Sequence, residues 1–182
     1  MKDPRELPVY EALSALNIPY ERFEHAAAMT MQDCDVFDAG RNAAHCKNLF
    51  LTNRQGTDFY LLLVVGDKPF KTKDVSRQLG VARLSFGTPE QLMDKLGLQP
   101  GAVTPMGLIH DYTRSVQVLL DRDVAKWETI IVHPNVNTAS ILLSTADLLR
   151  FLASRGNRIT YVDVAARDTG NGEPVILHAP LP

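Results

Sequence analysis

Ala43-Ala44-His45-Cys46-Lys47-Asn48-Leu49-Phe50-Leu51, then Asn53-Arg54-Gln55-Gly56-Thr57-Asp58, then Phe59-Tyr60-Leu61-Leu62-Leu63-Val64-Val65 is the stretch on which the fold turns. Two apolar, strand-length segments joined by a polar turn that contains a glycine read as a β-hairpin. Hairpins interleaved with short helices point to a mixed α+β sheet rather than a doubly wound one.

Upstream, an opening helix is expected over residues 8–16, with Tyr10, Leu13 and Leu16 on one face. Asp3, Pro4 and Glu6 offer an earlier start, but Pro8 would then fall where its missing N–H is first needed, so the later start is preferred. Residues 20–25 read as a short strand. Thr30 and Asp33 form a capping pair for a brief helix ending near Gly40.

Downstream, a helix is expected from Thr72 to Leu79, closed by Gly80, then a strand over residues 82–86. Thr88-Pro89-Glu90-Gln91 is a helix start with cap, proline and reciprocal Gln in register, and Gly97 closes that helix. Residues 115–120, 129–132, 138–143 and 158–164 read as strands. Ser144 and Asp147 cap a helix running to about Arg155. The whole is a single α+β domain over residues 1–164, a mixed and mostly antiparallel sheet flanked by short helices. Residues 165–182 form a tail rich in Gly, Pro and polar groups.

The chain has 182 residues, 45% of them hydrophobic and 22% charged, with a net charge of −2; this suits one soluble globular domain and argues against indiscriminate nucleic-acid binding. No segment is long and apolar enough to span a bilayer, and the N-terminus lacks a signal-peptide pattern, so a cytoplasmic location is expected. Cys34 and Cys46 show no CxxC spacing and fit reduced thiols. Lys68, Lys71, Lys73, Arg77 and Arg83 make a local basic cluster. Such a cluster is either a solvated surface or a phosphate contact.

Three places carry candidate chemistry. Lys47 is a charged residue in an apolar strand; it either discourages edge pairing or points its ammonium into a pocket to hold a ligand oxygen. Leu98-Gln99-Pro100-Gly101-Ala102-Val103-Thr104-Pro105-Met106-Gly107-Leu108 cannot continue a helix or a central strand and must be a shaped loop. Its glycine admits close approach, and Pro105 fixes the return of the chain. His133 precedes a proline at a strand end. The five histidines lack HxxxH or HExxH spacing, so no metal site is expected, and no GxSxG or phosphate-cradling motif is present.

Taken together, Lys47-Asn48-Leu49-Phe50-Leu51, Gly101-Ala102-Val103-Thr104-Pro105 and His133-Pro134 with Asn137-Thr138 resemble the ordered signature of the prolyl-tRNA editing family. Leu84-Ser85-Phe86 ahead of the Thr88 helix and Asp121 after Leu119-Leu120 agree with it. The resemblance spans residues 20–164 and implies an aminoacyl-tRNA deacylase that needs no cofactor. Within the family the chain is most similar to free-standing enzymes that clear alanine mischarged onto the proline tRNA; the sister activity on cysteine and a non-catalytic aminoacyl-tRNA binding module are the alternatives.

The resemblance implies that Lys47 is needed for hydrolysis, that the loop from Gly101 through Ala102, Val103, Thr104 and Pro105 holds the aminoacyl end, and that His133, Asn48 and Asn137 belong to the same site. The implied partners are mischarged tRNA for proline and prolyl-tRNA synthetase, with no membrane and no DNA. Backbone N–H groups of Gly101, Ala102 and Val103 are candidates for stabilising an oxyanion. Lys68, Lys71, Lys73 and Arg77 are candidates for tRNA phosphates.

Overall fold

The computed structural model describes residues 3–27, 43–66 and 68–164. The brief helix expected near Thr30, Cys34 and the tail from residue 165 lie outside them. Eight strands are described: β1 (Glu21–Glu24), β2 (Ala44–Thr52), β3 (Phe59–Val65), β4 (Ser85–Phe86), β5 (Val116–Asp121), β6 (Thr129–Val132), β7 (Ala139–Ser144) and β8 (Ile159–Val162). They form one sheet in the order β1-β7-β6-β2-β3-β5-β8, with β4 also on β2.

The hairpin forms as its pattern requires: β2 and β3 pair antiparallel from Cys46 opposite Val65 to Thr52 opposite Phe59. Asn53 shapes the turn, its Oδ1 accepting from the amides of Thr57 and Asp58 at 2.9 and 3.2 Å. β1 with β7, β2 with β4 and β6 with β7 are also antiparallel. β2 with β6, β3 with β5 and β5 with β8 are parallel, so the sheet is mixed with antiparallel pairs in the majority.

The α-helices among the described residues are α1 (Leu7–Ala15), α2 (Thr72–Leu79), α3 (Pro89–Leu96) and α4 (Thr145–Arg155). The caps act as their residues dictate. Thr88 Oγ1 accepts the Gln91 amide while Gln91 reaches back to the Thr88 amide, and Ser144 Oγ accepts the Asp147 amide at 3.0 Å. The N-terminus corrects the later helix start: Asp3 and Glu6 do form a capping box, around a 3-10 turn at Pro4–Glu6 that runs straight into α1. Pro8 then falls in the first turn of α1, where an N–H has no partner to lose. The strand expected over residues 82–86 shrinks to Ser85–Phe86, because the Leu84 amide donates to Ser76 Oγ at 2.9 Å instead of joining a ladder.

One face of the sheet packs against α1, α3 and α4. Ala44, Cys46, Phe50, Leu61, Leu63, Val118, Ile130 and Ile141 meet Val9, Leu13, Leu96, Leu148 and Phe151 there. Each such large side chain removed from water contributes about 1.5–3 kcal/mol. On the opposite face, Leu51, Tyr60, Leu62, Val64, Leu119 and Val162 pack with Val75 of α2 and with Leu84. The strand residues of that second cluster come from β2, β3, β5 and β8. Its neighbouring half-face, on β1, β7, β6 and the start of β2, carries the polar side chains described next.

Candidate active site

β6 runs beside β2 only at Ala44 and His45, and β4 only at Leu51 and Thr52. Between them the sheet forks, and Cys46–Leu49 has no ladder partner on that edge among the described residues. Lys47 and Asn48 stand at this fork. Side chains alternate across a strand, so Asn48 shares the face of Cys46 and Phe50, while Lys47 shares that of Leu49 and Leu51. Lys47 Nζ donates to the backbone carbonyl of Lys68 at 3.2 Å. Asn48 Oδ1 is buried and accepts no hydrogen bond among the described residues.

The parallel register ends at Ala44 with Ile130 and His45 with Ile131; alternation along each strand puts Lys47 on the face of His45 and His133, just past β6, on the face of Ile131. The shaped loop reaches the same place. Thr104 is fully buried, and its Oγ1 donates to the His133 carbonyl at 2.7 Å while accepting the Met106 amide at 3.4 Å. Gly101 holds φ at +84°, a region that penalises any side chain. Past Pro105 the chain makes a 3-10 turn, Pro105–His110, rather than a strand. Gly107 lets that turn press on Leu98: a Cβ there would lie 2.6 Å from Leu98 Cδ1.

The structure withdraws one expected oxyanion donor. The Ala102 amide donates to the Gln99 carbonyl at 3.0 Å and closes the turn around Pro100 and Gly101. The Gly101 and Val103 amides are the remaining candidates. Asn137 is partly buried on the β6–β7 connection that follows His133.

His133 Nδ1 lies 3.2 Å from the Ala139 carbonyl, which can only accept, so the neutral ring carries its proton on Nδ1 and leaves Nε2 as the acceptor. Ser140 Oγ is 3.4 Å from the same Nδ1 and 2.9 Å from His25 Nε2, while His25 Nδ1 faces the Ala26 carbonyl at 2.7 Å. With a carbonyl at each end the chain has one consistent direction: His133 donates to Ser140, and Ser140 donates to His25. The two imidazole rings are 6.0 Å apart. Burial holds the His133 imidazolium below its usual range, the Ala139 carbonyl offsets part of this, and His25 and His45 add to it. His133 is therefore neutral at physiological pH.

His25, His45 and Ser140 are additions to the expected set. Scattered in sequence, they meet through strand register, the only signal that could have found them. Cys46 is not a nucleophile here, since burial and then Asp121 push its thiol up to about 12.

The basic cluster divides. Lys71 at the N-cap of α2 and Lys73 and Arg77 within it are exposed, and α2 packs through Val75 on the face of the sheet that Lys47 shares with Leu49 and Leu51. Lys68 is put to a different use: its Nζ lies 2.8 Å from both carboxylate oxygens of buried Asp121 and 2.7 Å from Asp123. A separate cavity of about 420 Å³, lined by Asp3, Pro4, Glu6, Arg22, Glu24, His25 and Thr138, opens beside β1. Its buried carboxylate, Glu6, is already taken by Arg22 Nε at 2.8 Å, Arg22 Nη2 at 3.0 Å and the Asp3 amide at 3.1 Å.

Residues 25–151 match the family described as the aminoacyl-tRNA editing domain. The chain belongs to the aminoacyl-tRNA editing family. It is 31% identical to the Prolyl-tRNA editing protein ProX of Acetoanaerobium sticklandii over 86% of this chain and 95% of that protein. The Prolyl-tRNA synthetase associated domain-containing protein 1 of Danio rerio is 35% identical over 78% of each chain. Among solved structures, a trans-editing enzyme candidate for prolyl tRNA synthetase superposes with a TM-score of 0.70 at 20% identity, over 92% of this chain and all of that one. Membership in the editing family makes the chain an aminoacyl-tRNA deacylase, a hydrolase of the ester that joins amino acid to tRNA. Among the described residues no helix is long and apolar enough to cross a membrane, and no group of three or more His, Cys, Asp or Glu is arranged to hold a metal ion.

Proposed function

We propose that the chain hydrolyses mischarged tRNA for proline in trans, with alanine as the amino acid removed and prolyl-tRNA left intact. The prolyl-tRNA editing function named for its relatives supports the tRNA, and the fork with Lys47 and His133 on one face supports the chemistry. Ester hydrolysis needs an attacking water, an acceptor for its proton and donors for the oxyanion.

Lys47 carries three N–H donors, of which the Lys68 carbonyl takes one, leaving donors for a ribose or phosphate oxygen. The Gly101 and Val103 amides face the developing oxyanion. Neutral His133 accepts through Nε2 from the water or from a ribose hydroxyl, while Asn48, Thr104, Pro105 and Asn137 shape the walls. The vicinal ribose hydroxyl positions the water, which suits a site with no protein nucleophile. Lys71, Lys73 and Arg77 on α2 take tRNA phosphates. Association with prolyl-tRNA synthetase accompanies this reading, in line with the names of the vertebrate relatives.

Selection against proline is steric: a pocket that admits alanine excludes the larger ring, as in a second sieve. The test is release of amino acid from proline tRNA charged separately with alanine, cysteine and proline. Fast release of alanine alone supports the reading. Preferential release of cysteine moves the chain to the sister activity, and binding without release makes it a carrier.

A further inference from the structure

Lys47 owes its position to a carbonyl, and that carbonyl belongs to a residue with an unusual anchor. Gly66 N–H donates to the His45 carbonyl at 2.8 Å, carrying the β2–β3 pairing one residue further, and Lys68 N–H donates to the Val65 carbonyl at 3.1 Å, closing a turn at the end of β3. The far end of this turn is fixed by a side chain. Lys68 Nζ sits 2.8 Å from both oxygens of Asp121, which is fully buried at the end of β5 and also accepts the Val164 amide at 3.4 Å.

An ion pair with one fully buried partner is a poor investment for stability alone, because its desolvation offsets most of its attraction. What it supplies is a fixed point. The Lys68 main chain, clamped by its own ammonium, presents its carbonyl to Lys47 Nζ at 3.2 Å. We propose that Asp121 is a positioning residue for the deacylation site, acting through Lys68 to hold the Lys47 ammonium at the fork. The inference rests on the functional reading of Lys47 given above. Asp123 also pairs with Lys68, yet it is more exposed and already engaged by Lys126 at 2.6 Å, so it is the weaker anchor.

Two readouts test this. The first is the labelling rate of Lys47 by an amine-reactive acylating reagent, followed residue by residue by mass spectrometry. Asp121→Asn should raise it several-fold, whereas Asp123→Asn should leave it within about two-fold of wild type. Because breaking a buried pair can unfold the chain, Asp121→Leu combined with Lys68→Met removes both charges at similar volume and should give the same rise in a protein of near-native melting temperature. An unchanged Lys47 labelling rate in both variants overturns the proposal, whether or not the protein deacylates tRNA.

The second readout is single-turnover deacylation of alanyl-tRNA for proline. Asp121→Asn should slow it by about ten-fold or more in the wild-type background and by less than about two-fold in a Lys47→Ala background. Equal losses in both backgrounds mean that Asp121 does not act through Lys47 and overturn the proposal. Absence of deacylation by the wild type, with labelling still responsive, would overturn the functional reading and leave the positional one standing.

Discussion

The Thr104 hydroxyl donates to the main-chain carbonyl of His133 at 2.7 Å, tying the shaped loop to the end of β6. Among the described residues this hydrogen bond joins the shaped loop directly to the His133 main chain. Thr104→Val keeps the shape and deletes both the donor to the His133 carbonyl and the acceptor for the Met106 amide. It should lower stability by about 1–3 kcal/mol and slow deacylation, whereas Thr104→Ser should restore both. Chemical denaturation alongside the deacylation assay checks this, and a fully active Thr104→Val would remove the bond from the mechanism.

Lys47→Ala should reduce the deacylation rate by about 100-fold or more, with the melting temperature nearly unchanged because the side chain is only partly buried. Lys47→Arg should not rescue it. A planar guanidinium cannot reproduce a compact ammonium aimed at the Lys68 carbonyl.

Stability should fall on mild acidification. His133 and His110 are both held below the ordinary imidazole value, in each case by burial first, so the unfolded chain binds protons more readily than the folded one. Stability therefore rises with pH from the depressed folded values up to the unfolded value near 6.5, and is complete above it. Melting temperatures measured between pH 5 and 8 should show this loss below about pH 6.5, and His133→Gln should flatten it.

Deacylation at limiting tRNA should weaken as salt is added. Replacing Lys71, Lys73 or Arg77 singly with Gln should reduce the salt slope by about one unit each and leave the rate at saturating tRNA unchanged. A salt slope equal to that of wild type in all three variants would make α2 an ordinary solvated surface.

Asp111 gathers the connection that follows the site loop. It accepts from the Val116 amide at 2.8 Å, the Ser115 amide at 3.0 Å and Asn157 Nδ2 at 2.7 Å. Burial raises its carboxyl, and these donors outweigh burial, so it stays ionised below the usual range. Asp111→Ala should cost about 3 kcal/mol by denaturant titration, because several buried donors lose their acceptor together.

Much of this arrangement was legible in the sequence because it is local. The hairpin follows from two apolar runs around Asn53 and Gly56, and the helix starts follow from Thr88 with Gln91 and Ser144 with Asp147. Lys47, the Gly101–Pro105 loop and His133 stand out as exceptions to their surroundings. What could not be read is long-range. Nothing near Ala44 announces a parallel partner at Ile130, and without that register His25, His45 and Ser140 remain unrelated to His133. Lys68 looks like Lys71 and Lys73 in a one-dimensional chain. Only the burial of Asp121, fifty-three positions away, separates an internal strut from a surface charge.

The fork in β2 also bears on how the chain folds. β2 finds β3 through a local turn, but it meets β6, at Ala44 with Ile130, 86 positions further along the chain. Closing so long a loop is entropically slow, and the contacts that reward it come late. Lys47 belongs to the early hairpin and His133 to the late pairing, so the candidate site comes into existence only when the two halves of the sheet dock. A chain arrested with its hairpin formed would carry the ammonium without the imidazole.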